Sequence, residues 1–135
     1  MRTAVLVSGT GTNLGALCAA ETQGSLAPAR IVVVVSSRPD VPALAVAARH
    51  HKPTVVIDHK ESAERAAFET ALLGELERHR VELVILAGWS RVLTGRFLDH
   101  YVDRVLNVHP SLLPAFPGLH AQKQALAHGV KVTGC

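Results

Sequence analysis

Short β-branched apolar runs alternate along this chain with longer stretches whose apolar positions recur at helical spacing. Thr3–Ser8, the Val-rich Arg30–Val35, Thr54–Asp58, Leu83–Ala87 and Val105–His109 read as strands. Asn13 to about Gln23, Pro42–His51, Ser62 to about His79 and Arg96–Tyr101 read as the helices between them. Pro42 falls in a first helical turn, where its missing N–H is not needed. Ala66, Phe68, Leu72 and Leu76 mark the apolar positions of the third helix. A Pro-punctuated loop, Pro110–Pro117, then leads to a last helix, Leu119–His128, stopped by Gly129.

Strands that read as continuous apolar runs and alternate with helices predict a doubly wound, mostly parallel α/β sheet. Helices cover both of its faces, in a Rossmann-like arrangement. No linker, repeat or low-complexity segment interrupts the pattern, so residues 1–135 are expected to form one domain. The last residues, Lys131-Val132-Thr133-Gly134-Cys135, read like another strand beginning. Ligands of such sheets bind beyond the carboxyl ends of the strands, where strand order reverses. That directs attention to Ser8–Asn13, Gly88–Leu93 and Asn107–Gly118.

Composition narrows the class. At 48% apolar residues the chain is too hydrophobic for a disordered segment. Its apolar runs, such as Ile31–Val35 and Leu83–Trp89, fall well short of the ~18 residues of a spanning helix. The first residues lack a secretory h-region, so a soluble, cytoplasmic chain with no membrane association is expected. Fourteen Lys and Arg against eleven Asp and Glu leave +3, spread along the chain without a basic patch or an aromatic series. Nucleic acid is therefore not an expected partner, whereas small anionic substrates suit this balance. Cys18 and Cys135 make no C-x-x-C pair, and the eight histidines show no metal-ligand spacing. His50 and His51 are adjacent, on opposite flanks of the second helix. No metal is expected.

Ser8-Gly9-Thr10-Gly11-Thr12-Asn13 joins the first strand to the first helix. Two glycines allow a tight turn that aims several N–H groups at one point, and the helix adds its positive end. An anion, most simply a phosphate, is favoured there. The loop is not a P-loop, because no Lys follows the second glycine, and Leu14 stands where a dinucleotide fingerprint has its third glycine. Arg38, after Ser36-Ser37, leaves an NADP-binding module open as an alternative. The simpler reading is a plain turn with Thr12 or Asn13 as N-cap.

Asn107-Val108-His109 carries the reactive pair. On one strand Asn107 and His109 share a side. Histidine can move a proton near neutral pH, and an amide can bond a developing oxyanion. With no Ser or Cys nucleophile in view, the pair suggests direct attack by an amine on an acyl or formyl group. Spacing alone leaves equally open a structural histidine bonded to the loop backbone.

Four motifs stand in order: Ser8–Asn13, Leu86-Ala87-Gly88-Trp89-Ser90-Arg91-Val92-Leu93, Asn107-Val108-His109-Pro110-Ser111-Leu112-Leu113-Pro114 and Phe116-Pro117-Gly118-Leu119-His120-Ala121. Together they make the chain, from Thr3 to Cys135, strongly resemble the phosphoribosylglycinamide formyltransferase family. The resemblance implies transfer of a formyl group from 10-formyltetrahydrofolate to the amine of glycinamide ribonucleotide, in purine biosynthesis. Another folate-dependent formyltransferase is the nearest alternative, and its relatives lack the early loop together with Pro-Gly-Leu-His. By the same resemblance Gly11, Thr12 and Asn13 would hold the substrate phosphate. Ser90, Arg91, Val92 and Leu93 would line the folate pocket, largely through backbone groups, with Arg65 and Asn107 also at the folate. His109 would be the catalytic acid/base, and Asn107 would polarise the formyl oxygen. The implied partners are the two small molecules, with a second copy of the chain as an option and no metal.

Several of these residues have simpler roles to offer. Arg65 lies four residues from both Glu61 and Glu69, the spacing of helix-surface ion pairs. Trp89 suits packing, and Ser90 replaces a methionine common in the family. The family also carries a catalytic aspartate beyond the position of Cys135, which Asp40, Asp58, Asp99 and Asp103 do not match. The 135 residues are thus expected to be an incomplete domain with an exposed apolar sheet edge and weak turnover.

Overall fold

A computed structural model describes residues 1–60 and 64–135. Strands β1 (Arg2–Val7), β2 (Arg30–Ser36), β3 (Thr54–Val56), β4 (Leu83–Leu86) and β5 (Val105–Asn107) form one parallel sheet in the order β3-β2-β1-β4-β5. The helices are α1 (Thr12–Thr22), α2 (Pro42–Arg49), α3 (Arg65–Arg78), α4 (Gly95–His100) and α5 (Ala121–His128). This is the doubly wound parallel arrangement that the alternation predicts. The chain steps outward from β1 to β2 and β3, then returns to the other side of β1 for β4 and β5. Strand order reverses between β1 and β4, so the ligand crevice of such a sheet opens beyond their carboxyl ends.

Each face of the sheet has its own core. Leu14 and Cys18 of α1 and Ala43 and Ala47 of α2 pack on Val5, Val7 and Val34. On the other face Phe68, Leu72 and Leu76 of α3 and Phe97 of α4 pack on Ala4, Leu6, Val33, Val35 and Val84. Burial of both faces is why β2 is a run of valines and not an alternation. Thr3 pairs with Ile31 but Ala4 with Val33, so Val32 is an unmatched bulge residue. Ile31 and Val33, two residues apart, consequently sit in opposite cores.

Departures from the sequence reading gather at element ends and sheet edges. β3 stops at Val56 and β5 at Asn107, both on edge strands with a ladder on one side only. α3 begins at Arg65, after an extended Glu64; the expected start at Ser62 lies outside the described residues. His50 and His51 lie past the end of α2, not on its flanks, and His51 is left-handed with φ 52. The strand expected at residues 131–135 does not form, because the segment joins no ladder, and Val132 is exposed. α5 starts two residues later than expected, after a left-handed His120, and ends at a left-handed Gly129. On β5 and just beyond it, Leu106 and Val108 are 55% and 62% exposed. Among the described residues no helix is long and apolar enough to cross a membrane.

Candidate active site

The loop after β1 is shaped by the packing of α2 beneath it. Gly11 has φ +81, and a Cβ there would lie 2.6 Å from the Cα of Ala43. Only glycine meets both conditions. The Ala43 N–H donates to the Gly9 carbonyl at 3.1 Å, holding helix and loop together. α1 starts at Thr12 with Gly11 as its N-cap and no side-chain cap. The reading of Thr12 or Asn13 as N-cap is thereby corrected: both already lie in the first turn, and the Thr12 hydroxyl bonds that of Thr10 at 3.3 Å. The first N–H groups of α1 therefore have no side-chain acceptor, the condition under which a helix end binds an anion. They border a pocket of about 210 Å³ lined by Gly9, Thr10, Gly11, Thr12, Asn13, Ala87 and Gly88. Leu14, at the position of a third glycine, is instead fully buried in the core.

The segment after β4 hangs on three side chains. The Ser90 N–H donates to the Ser8 Oγ at 3.1 Å. The Arg65 guanidinium donates to the Val92 carbonyl. The Glu69 carboxylate accepts the Thr94 N–H at 2.7 Å and the Thr94 hydroxyl as well. Arg65 thus joins the Ser90–Leu93 segment, and the expected Arg65–Glu69 surface pair does not form. Glu69 is only 2% exposed and turns inward to Thr94, while Glu61 lies outside the described residues. Ser90, Arg91 and Val92 remain exposed beside the crevice, and Trp89 packs on Phe68 with ring centroids 6.1 Å apart.

Sequence reasoning missed Ser8, Ser37 and Glu69 as supports of the site. For Glu69 a signal existed, since it shares the helical stripe of Leu72, Leu73 and Leu76. An acid on an apolar stripe needs a buried partner.

Asn107 ends β5 opposite Leu86 of β4, two residues before Gly88. Asn107 is exposed at the end of this edge strand. His109 lies beyond the strand, so strand alternation does not place it beside Asn107, and that inference is corrected. The loop orients it instead: His109 Nε2 lies 3.0 Å from the Phe116 carbonyl. Phe116 is left-handed, φ 51, a conformation costing about 1–2 kcal/mol for a residue with a Cβ. Ser111, 2% exposed, donates its hydroxyl to the Ala115 carbonyl at 2.6 Å and reaches the Phe116 carbonyl at 3.3 Å. This contact is the loop-backbone bond of the structural reading, and it engages one ring nitrogen. With Nε2–H as donor, the neutral imidazole keeps its Nδ1 lone pair as an acceptor.

Ser36 and Arg38 are arranged differently from a cofactor site. The Ser36 hydroxyl donates to the Arg38 carbonyl at 2.6 Å and accepts the Arg38 N–H at 3.2 Å. Arg38 shares its small pocket with Asp40, Asp58 and Lys60, so its cation stands among two acids and a second base. Perturbed acids lie elsewhere. Burial pushes the Cys18 thiol up, with nearby Lys52 pulling the other way, and burial pushes the Tyr101 phenol up, with Glu77 adding to it. Among the described residues no group of three or more His, Cys, Asp or Glu is gathered as a metal cage.

Comparison with known proteins gives the family and the fold. The formyl transferase family model covers residues 1–135. The trifunctional purine biosynthetic protein adenosine-3 of Gallus gallus is 47% identical over 135 residues, which are all of this chain and 13% of that protein. The phosphoribosylglycinamide formyltransferase of Bacillus subtilis (strain 168) is 37% identical over 131 residues, 97% of this chain and 67% of its own length. The crystal structure of glycinamide ribonucleotide transformylase 1 from Symbiobacterium toebii superposes with a TM-score of 0.95 at 47% identity, covering all of this chain and 63% of that one. The chain belongs to the formyl transferase family. It spans 13% of the chicken protein and under two thirds of the Symbiobacterium chain.

Proposed function

We propose that this chain carries the substrate-binding and proton-transfer residues of a cytoplasmic phosphoribosylglycinamide formyltransferase, with residues 1–135 acting as one domain. The observation that carries the reading is the uncapped start of α1, where Gly11 is left-handed against α2 and the pocket opens toward Gly88. Gly11, Thr12 and Asn13 would hold the phosphate of glycinamide ribonucleotide there.

The peptide groups of Ser90, Arg91, Val92 and Leu93 that Ser8 and Arg65 do not engage would suit a flat heterocycle with donors and acceptors on its edge, as 10-formyltetrahydrofolate has. That co-substrate would supply the formyl group. Arg65, close to Val92, brings a cation that suits the carboxylates of a folate. Asn107 would donate its amide N–H to the formyl oxygen as negative charge develops there. His109 would accept the proton of the attacking amine at Nδ1, while its Nε2–H stays on the Phe116 carbonyl. None of these roles draws on a metal.

Thermal-shift titration of the chain with glycinamide ribonucleotide, folic acid and NADP tests the reading. Stabilisation by the first two, and none by NADP, is expected. Stabilisation by NADP alone would overturn it.

A further inference from the structure

The loop that ends β1 and the segment that follows β4 are 82 positions apart in sequence and meet through one buried hydroxyl. Ser8 is 5% exposed, and its Oγ accepts the Ser90 N–H at 3.1 Å. The same Oγ shares a 2.8 Å hydrogen bond with the Oγ of the fully buried Ser37, the residue after β2. Ser37 is anchored in turn. Its N–H donates to the Val7 carbonyl at 3.2 Å, and its carbonyl lies 2.8 Å from His59 Nδ1. The Ser8 hydroxyl therefore stands on a fixed base between the two candidate ligand segments: Gly9–Asn13 begins one residue after it, and Ser90–Leu93 begins at the N–H it accepts.

We infer that Ser8 is a positioning residue that couples the two halves of the site. The inference rests on the functional reading above, in which the loop takes a phosphate and the Ser90–Leu93 segment takes the folate. An anion on the first N–H groups of α1 draws Gly9–Asn13 into one conformation and so fixes the backbone that carries the Ser8 Oγ. Through the Ser90 N–H the same bond fixes where the peptide groups of Arg91–Leu93 stand. The linkage crosses the crevice where strand order reverses, so it joins the substrates' two sites directly. Shielding from water strengthens such a bond. Arg65 and Glu69 hold the far end of the segment, through Val92 and Thr94.

The test uses inorganic phosphate and folic acid as probes of the two halves. With the unaltered chain, saturating phosphate is expected to tighten folic acid binding about fivefold or more, and folic acid to tighten phosphate binding by the same factor. Ser8→Ala is expected to bring that factor close to one. Ser8→Thr, which keeps the hydroxyl, is expected to retain it. Ser37→Ala, which removes the base beneath the Ser8 hydroxyl, is expected to lower stability and to reduce the factor without abolishing it. Should Ser8→Ala fail to fold, the Ser90 amide resonance of the unaltered chain decides, since phosphate at the loop must shift it. Coupling that survives in Ser8→Ala overturns the inference, as does independent binding of the two probes to the unaltered chain; both outcomes leave the functional reading intact. Failure of the unaltered chain to bind either probe overturns the functional reading and the coupling with it.

Discussion

Within residues 1–135, which span 63% of the Symbiobacterium chain, the two sides of the crevice are held differently. At the loop after β1 the side chains behind the site, Val5, Val7, Leu14 and Ala43, are fully buried, and Gly11 leaves no room for a side chain. Around β5 and α5 the pattern inverts: Leu106, Val108, Leu112, Leu119, Leu126 and Val132 are exposed, and the catalytic candidate is oriented by bonds to one loop carbonyl. Within these residues the anion half is held by packing and the chemical half by hydrogen bonds. Packing is shared among many atoms and tolerates no added volume. A hydrogen-bonded loop can be reset by losing one partner.

The largest expected effect falls on the chemical half. His109→Asn in a catalytically competent form is expected to lower formyl transfer about 10²–10⁴-fold with glycinamide ribonucleotide binding nearly unchanged, checked by turnover and calorimetry. Retained turnover would remove His109 from the chemistry.

Packing predicts the next contrast. Leu14→Ala should cost about 3 kcal/mol in urea unfolding, and Leu106→Ala under about 0.5 kcal/mol. Equal costs would erase the distinction between the two sides. Gly11→Ala should lose about 2–3 kcal/mol and abolish phosphate binding, because the new methyl meets Ala43 in a left-handed backbone.

Glu69→Gln tests the support of the Ser90–Leu93 segment. Replacing a buried carboxylate that accepts two bonds from Thr94 should cost about 2 kcal/mol and weaken folic acid binding more than phosphate binding. The smallest effect concerns pH. Burial raises the Cys18 thiol, so the folded chain keeps that proton after the unfolded chain has released it. Stability is then whole at neutral pH and falls as pH rises beyond about 8.5, where the unfolded thiol titrates. Cys18→Ala should flatten that alkaline slope in urea unfolding measured between neutral and alkaline pH.

Much of the fold was legible because its signals are local. Strand type follows from β-branched runs, helix type from periodicity, and the stop at Gly129 from its freedom to be left-handed. The bulge at Val32 was not legible. Alternation counts residues on one strand, whereas a bulge is a mismatch with its neighbour. The same reason hid the true end of β5, which depends on the ladder that β4 offers.

Of the candidate site, the glycine loop and the Asn107/His109 pair could be read from residue type and spacing. Ser8, Ser37 and Glu69 could not be assigned, because their partners lie 82, 29 and 25 positions away. Arg65 and Glu69 mark the boundary most clearly. Their spacing of four fits a surface pair, yet α3 turns Glu69 into the core and sends Arg65 to Val92.

The sequence by itself determined the alternating elements, the parallel sheet they imply and the residue types able to bind phosphate and move a proton. Local preferences and burial patterns are written residue by residue. Only the tertiary structure decided which nitrogen of His109 is engaged, why Gly11 must be glycine, and which hydroxyl joins the two halves of the crevice. Each of those depends on an atom brought close by the packing of another element, and a linear pattern does not carry that distance.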